Sequence, residues 1–120
     1  RGVRLVVTEL WIRDRDEGMW KDGERRGVGK VKYRDGTTYE GEFEAGQRSG
    51  NGVMQMQDGF EYSGQWLSGE MHGTGIAKYA NGDIYEGKFF AGRRQGQGSM
   101  TYYTGAVTGG TWTEGALEAD

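Results

Sequence analysis

The sequence predicts an all-β protein, an elongated single-layer antiparallel meander of repeated β-hairpins. Three observations predict it. The chain repeats itself with a period of 23 residues and no insertion from residue 27 to 118. Within each unit apolar and polar residues alternate with a period of two. Finally, 20 of the 24 glycines fall in five columns filled in every unit: 27/50/73/96, 29/52/75/98, 36/59/82/105, 41/64/87/110 and 46/69/92/115.

Taken in order, residues 1–16 fit no unit and read as a divergent strand or cap, of the kind that terminal repeats need. Residues 17–26 hold a degenerate half unit, with Trp20 in the aromatic column and Gly18 and Gly23 in glycine columns. Four full units follow at 27–49, 50–72, 73–95 and 96–118, and residues 119–120 are a tail. In the first half of a unit Val31 and Tyr33 alternate with Lys30 and Lys32; in the second, Tyr39, Gly41 and Phe43 alternate with Thr38, Glu40 and Glu42. Such segments are strands. Asp35-Gly36, Asp58-Gly59 and Asn81-Gly82 sit between the halves, and these dipeptides predict two-residue type I′ turns. Longer glycine-bearing connections, such as Ala45 to Gly50, join one hairpin to the next. Glycines 41, 64, 87 and 110 lie on the same face as the rings, where a neighbouring ring can lie flat over the bare backbone.

Composition excludes several classes. Glycine at about three times its ordinary usage, without proline, is not a collagen. The absence of cysteine removes disulfide frameworks and thiolate metal sites. A net charge of −3 and a pI near 5.2 oppose nucleic-acid binding. No apolar run has the length of a membrane-spanning helix. The chain opens at Arg1-Gly2-Val3 without an initiator methionine or signal-peptide pattern, so a processed product or an excised segment is expected.

The stretches YEGEFEAG, YSGQWLSG and YEGKFFAG, each with a leading Gly-x-Gly and a 23-residue period, resemble the MORN repeat. Three units match well, and the fourth has Thr108-Gly109-Gly110 where Tyr-x-Gly is usual. The resemblance implies a single-layer hairpin ribbon acting as a scaffold or recognition module. Such arrays occur beside plant phosphatidylinositol phosphate kinase domains, in junctophilins, in a lysine methyltransferase and in a guanine-nucleotide exchange factor; none of those attached catalytic domains is in this sequence.

The residues themselves point away from catalysis. The recurring Gly-x-Gly lacks the third glycine and the following helix of a phosphate-binding loop. His72 is the only histidine and falls in a repeat-joining connection, and the turn aspartates are explained by turn chemistry. The expectation is a non-enzymatic module without cofactor or metal. Its partner would be a protein or peptide segment, held by Tyr39, Phe43, Tyr62, Trp66, Tyr85, Phe89 and Trp112 lining a groove. An alternative is a peripheral membrane module, Arg25, Arg26, Arg48, Arg93 and Arg94 contacting anionic phospholipid headgroups such as phosphoinositides, in the service of an attached lipid-kinase-type domain. A further alternative is self-association, as a homodimer, through exposed sheet edges. A cytoplasmic location is favoured, with membrane association tied to the lipid alternative.

Overall fold

The computed structural model describes residues 15–21 and 24–118, with side chains from residue 27 onward. Ten strands form one antiparallel sheet in sequence order: β1 Arg15–Lys21, β2 Glu24–Lys32, β3 Thr38–Glu44, β4 Gln47–Gln55, β5 Glu61–Leu67, β6 Glu70–Lys78, β7 Ile84–Phe90, β8 Arg93–Thr101, β9 Val107–Thr113 and the two-residue β10 Ala116–Leu117. The ribbon measures 55 × 24 × 17 Å. The predicted meander is the observed fold. The cap predicted for 1–16 lies almost wholly outside the described residues.

The turns are the reverse of the sequence expectation. The two-residue connections are Ala45-Gly46, Ser68-Gly69, Ala91-Gly92 and Glu114-Gly115, where both residues have positive φ, 50–53° for the first and 79–91° for the glycine. Those are type I′ values. The Asp-Gly connections are wider. In the first, Gly36 N–H donates to Tyr33 C=O at 2.9 Å, Tyr33 N–H donates to Thr37 C=O at 2.7 Å, and only Gly36 has positive φ. This is a type I turn closed by a left-handed glycine. Asp35, Asp58 and Asn81 act through their side-chain oxygens, each accepting the N–H two residues on at 2.9–3.0 Å. That N–H holds the Asp35 carboxyl below its usual pKa. The dipeptide signal misled because an aspartate that caps the turn this way stays in the right-handed region.

The tight hairpins contain a bulge. Between the pairs Gly41↔Gly52 and Phe43↔Arg48, β3 has one residue and β4 has three. The same irregularity recurs between β5 and β6 and between β7 and β8. A bulge leaves backbone groups without ladder partners, and the sequence supplies replacements. Tyr39, Tyr62 and Tyr85 donate their hydroxyls to the carbonyls of Glu42, Gln65 and Lys88 at 2.8–2.9 Å. The side chains of Glu42 and Gln65 accept the N–H groups of Asn51 and Thr74.

To reach those carbonyls each tyrosine ring lies across a facing glycine pair: Gly41 and Gly52, Gly64 and Gly75, Gly87 and Gly98. Tyr39, Tyr62 and Tyr85 are the largest fully buried side chains. The Phe/Trp column fills the space between them. Seven rings, Phe43–Tyr39–Trp66–Tyr62–Phe89–Tyr85–Trp112, touch edge to face at centroid distances of 5.0–5.3 Å. Each such contact is worth about 0.5–1.5 kcal/mol beyond burial. Trp66 and Trp112 also donate Nε1–H to the carbonyls of Gly52 and Gly98 at 3.1 Å.

Two substitutions test this account by chemical denaturation. A Cβ at Gly75 would sit 2.5 Å from two Tyr62 ring carbons, so Gly75→Ala should lower stability by about 3 kcal/mol, the upper range for overpacking. At the exposed left-handed Ala91 (φ 50°), Ala91→Asn should raise it by about 0.5–1 kcal/mol, because asparagine tolerates that conformation. A neutral Gly75→Ala would mean that the ring does not depend on the bare glycine.

Candidate functional site

The seven rings expected to line a groove are already covered: their exposures run from 0 to 7 %. Tyr39, Phe43, Tyr62, Trp66, Tyr85, Phe89 and Trp112 are therefore the packed core of the aromatic face, the filled floor of the surface that the sequence reading assigned to a partner. A single layer can bury its rings this way because edge-to-face contacts and the glycine seats use the ring faces within the sheet itself.

Above the floor lies a second, half-buried row. Tyr33, Phe60, Met71, Tyr79 and Tyr102 pack against the core from the two long edges, and Met56 is 41 % exposed. Arg48 and Arg94 complete the row. The Arg48 guanidinium stacks over the Trp66 ring, 4.9 Å from its centroid. Its Nε and Nη2 donate to Gly69 C=O at 3.2 and 2.6 Å, and Nη1 donates to the Tyr33 hydroxyl at 3.0 Å. The Arg48 carbonyl in turn accepts Gly69 N–H at 3.0 Å. Arg94 repeats every contact two units on, with Trp112 beneath it and Gly115 and Tyr79 as partners.

This clamp went unnoticed in the sequence, although a signal was there. Column 33/56/79/102 reads Tyr, Met, Tyr, Tyr and column 48/71/94/117 reads Arg, Met, Arg, Leu, so the two change together through three units and part in the fourth. In those three, tyrosine stands opposite arginine, and methionine opposite methionine.

The arginines do not form one row. Arg48 and Arg94 turn inward over the rings, while Arg93, next in sequence to Arg94, faces the other way and lies 3.8 Å from Glu114. Adjacent strand residues point to opposite faces, so Arg93 and Arg94 cannot share a headgroup surface. The side chains of Arg25 and Arg26 lie outside the described residues. His72, expected in a solvated connection, is half-buried in β6 with its ring 5.7 Å from Phe90.

The opposite face carries the exposed Lys30, Lys32, Glu40, Glu42, Lys78, Glu86 and Lys88 as expected. It also exposes Val28, Leu67, Ile76, Ile84, Phe90 and Val107. These were missed because no column is apolar throughout. Beside β2 to β4 a cavity of about 480 Å³ is lined by Lys30, Lys32, Thr38, Glu40, Val53 and Gln55, among others. Val31 and Tyr39 complete its lining, and among the described residues no group of three histidines or carboxylates is placed to hold a metal ion. Nor is any helix of the described residues long and apolar enough to cross a membrane.

Burial raises the phenol pKa values of Tyr39 and Tyr85 and pushes that of Tyr62 up to about 12. The folded state thus favours the neutral phenol, and this contribution is complete below the unfolded value near 10 and lost as pH rises through the folded value. The β-sheet signal in circular dichroism should collapse between about pH 10 and 12, together with a late step in tyrosinate absorbance. Ionisation of all tyrosines in step with free tyrosine, with the sheet intact, would contradict the buried hydrogen-bonded phenols.

The model of the MORN repeat family matches residues 17–38, 39–60, 62–84 and 85–107. No curated protein matches the chain. Three of the four matched intervals open on or beside Tyr39, Tyr62 and Tyr85, so each frames a tight hairpin with its type I′ turn. The last ends before Thr108, where tyrosine is replaced.

Proposed function

The chain belongs to the MORN repeat family, a family of non-catalytic repeat modules, and on that premise we propose that it is a recognition scaffold holding a segment of another protein across its aromatic face. The observation that carries the reading is the half-buried row of Tyr33, Phe60, Met71, Tyr79 and Tyr102, with the exposed Met56 in the same column as Tyr33, on a fully packed floor. Tyrosine and methionine are enriched where proteins bind one another, and thioether side chains adapt to varied surfaces. Because the floor is fixed by ring contacts and glycine seats, little ordering remains to oppose association.

The partner touches the outer row and the edges of the floor, not the ring faces. This changes which residues should be altered. Replacing Trp66 or Tyr62 would damage the sheet itself, whereas Met71 and Tyr102 can be changed with the floor in place.

A photo-crosslinking amino acid placed singly at Met71 or Tyr102, on the aromatic face, and at Glu86 or Lys88, on the opposite face, tests the reading. Adducts formed in lysate should concentrate at Met71 and Tyr102 by at least about tenfold. Equal adduct yield from both faces would refute a face-specific scaffold.

A further inference from the structure

We infer that the aromatic face selects an acidic amphipathic helix whose contact residues repeat in heptads as acid, apolar, acid, set opposite Arg48, Met71 and Arg94. The inference rests on the proposed scaffold reading and names the chemistry of its partner.

The charge argument comes from the clamps. A guanidinium has five N–H donors, and Arg48 uses three of them on Gly69 C=O and the Tyr33 hydroxyl. Arg94 does the same on Gly115 and Tyr79. Among the described residues neither forms an ion pair, the recorded one being Arg93 with Glu114. Two half-buried cations, each with two N–H groups left over, therefore sit on the face of a chain whose net charge is −3. Their position is fixed by the stack on tryptophan and the bonds to the next turn. A carboxylate meeting such a preset fork forms a charge-assisted pair with little ordering cost.

The spacing argument comes from the sheet. One 23-residue unit advances the ribbon by two strands, about 9.6 Å. Arg48, Met71 and Arg94 occupy one column in three successive units, and so lie about 10 Å apart in a line about 20 Å long. Seven residues of α-helix advance about 10.5 Å and return to nearly the same face. A helix laid along the ribbon thus presents residues i, i+7 and i+14 to the three positions in turn. Helix is favoured over extended peptide because the strands under this column are already paired within the ladder, Arg48 with Phe43, Met71 with Trp66 and Arg94 with Phe89. A segment that satisfies its own backbone donors loses least there.

Binding of designed helical peptides of about 21 residues, three heptads, to the whole chain tests the inference by fluorescence anisotropy. One peptide carries Glu at i and i+14 with Leu at i+7; a second has Lys in place of both Glu; a third has Glu at all three. The Glu–Leu–Glu peptide should bind at least about tenfold more tightly than Lys–Leu–Lys, and Arg48→Met or Arg94→Met should each weaken it by about tenfold. Methionine is chosen because Met71 already occupies that column. Loss on its own could reflect misfolding, so Met71→Arg supplies a gain: it should improve binding of the all-Glu peptide by about tenfold. Salt should weaken the Glu peptides selectively.

Equal binding of the Glu and Lys peptides would overturn the charge register and leave the scaffold reading standing. Failure of every peptide to bind at millimolar concentration would overturn both. Recruitment to phosphatidylserine vesicles that is lost in Arg48→Met and Arg94→Met, with no preference among peptides, would overturn the inference in favour of a lipid surface.

Discussion

Everything in this ribbon depends on one contact, the tyrosine that lies across two facing glycines and gives its hydroxyl to a bulge carbonyl. The bulge sets two strand residues more on one side of the tight hairpin than on the other. Without a donor nearby, the Glu42 carbonyl would be stranded beside a buried ring. Tyr39 reaches it only because Gly41 and Gly52 have no side chain in the way. Glycine, bulge and tyrosine recur together at Tyr62 and Tyr85, while β1 and β2 carry the same bulge with Asp16 in the tyrosine column. A single sheet can thus carry a dry face without a second layer, an arrangement that ordinary β-proteins reach by stacking two sheets.

Once the tyrosines are fixed, the remaining columns divide into two kinds. Those that pack on the tyrosines are buried and apolar: Phe43, Trp66, Phe89 and Trp112 meet them edge to face, and Val31, Met54, Ala77 and Met100 stand opposite them across the strands. Those that lie above the floor vary, together in the first three units and separately in the fourth, where Tyr102 stands with Leu117. Tyr33 with Arg48 is a polar, hydrogen-bonded solution to this local problem, and Met71, packed on the core, is an apolar one. A lone substitution within a pair leaves either a phenol without its guanidinium or a guanidinium without its acceptor. The floor gives the ribbon its shape; the paired row gives each 10 Å step its chemical character. Under the proposed function, partner choice is written in that row.

Much of this was legible in the sequence, for a physical reason: repeats average away accident. A glycine at one strand position is ambiguous, while glycine at 41, 64, 87 and 110 with tyrosine two residues before three of them is a packing rule. The strands, their order and the two faces followed directly. The turns did not, because Asp35-Gly36 and Ala45-Gly46 differ in a torsion angle that composition does not encode; Ala45 takes φ 53° against its own preference because the β-ladder on either side demands it. The site was legible only in part. Large rings announced an interaction surface, but how far they cover each other depends on ring tilt, and the 81–88° interplanar angles that bury them arise from packing across units. Arg48 and Arg94 looked like surface charges because their partners, Gly69 and Gly115, lie 21 residues away in the next turn.

The fourth unit shows what the rule is worth by breaking it. Thr108 stands where a tyrosine would lie, and its hydroxyl reaches only the Tyr102 hydroxyl at 3.5 Å. Gly109 and Gly110 have no ring across them, and the closest group to Gly110 is the Leu117 methyl. Yet Trp112 is as buried as its counterparts, at 3 % exposure. It is held from the preceding unit: Tyr85 meets its edge, Gly98 accepts its indole N–H, and Arg94 covers it while binding the turn at Gly115. An aromatic column can therefore persist for one unit, two strands, beyond the last tyrosine of its partner column, because each unit supports the ring of the next. Support in the ribbon runs forward along the chain, which makes the arginine clamp a structural element as well as a charged one. Met71 leaves the third unit without that clamp, and there Phe89, with no indole N–H to place, needs only the edges of Tyr62 and Tyr85.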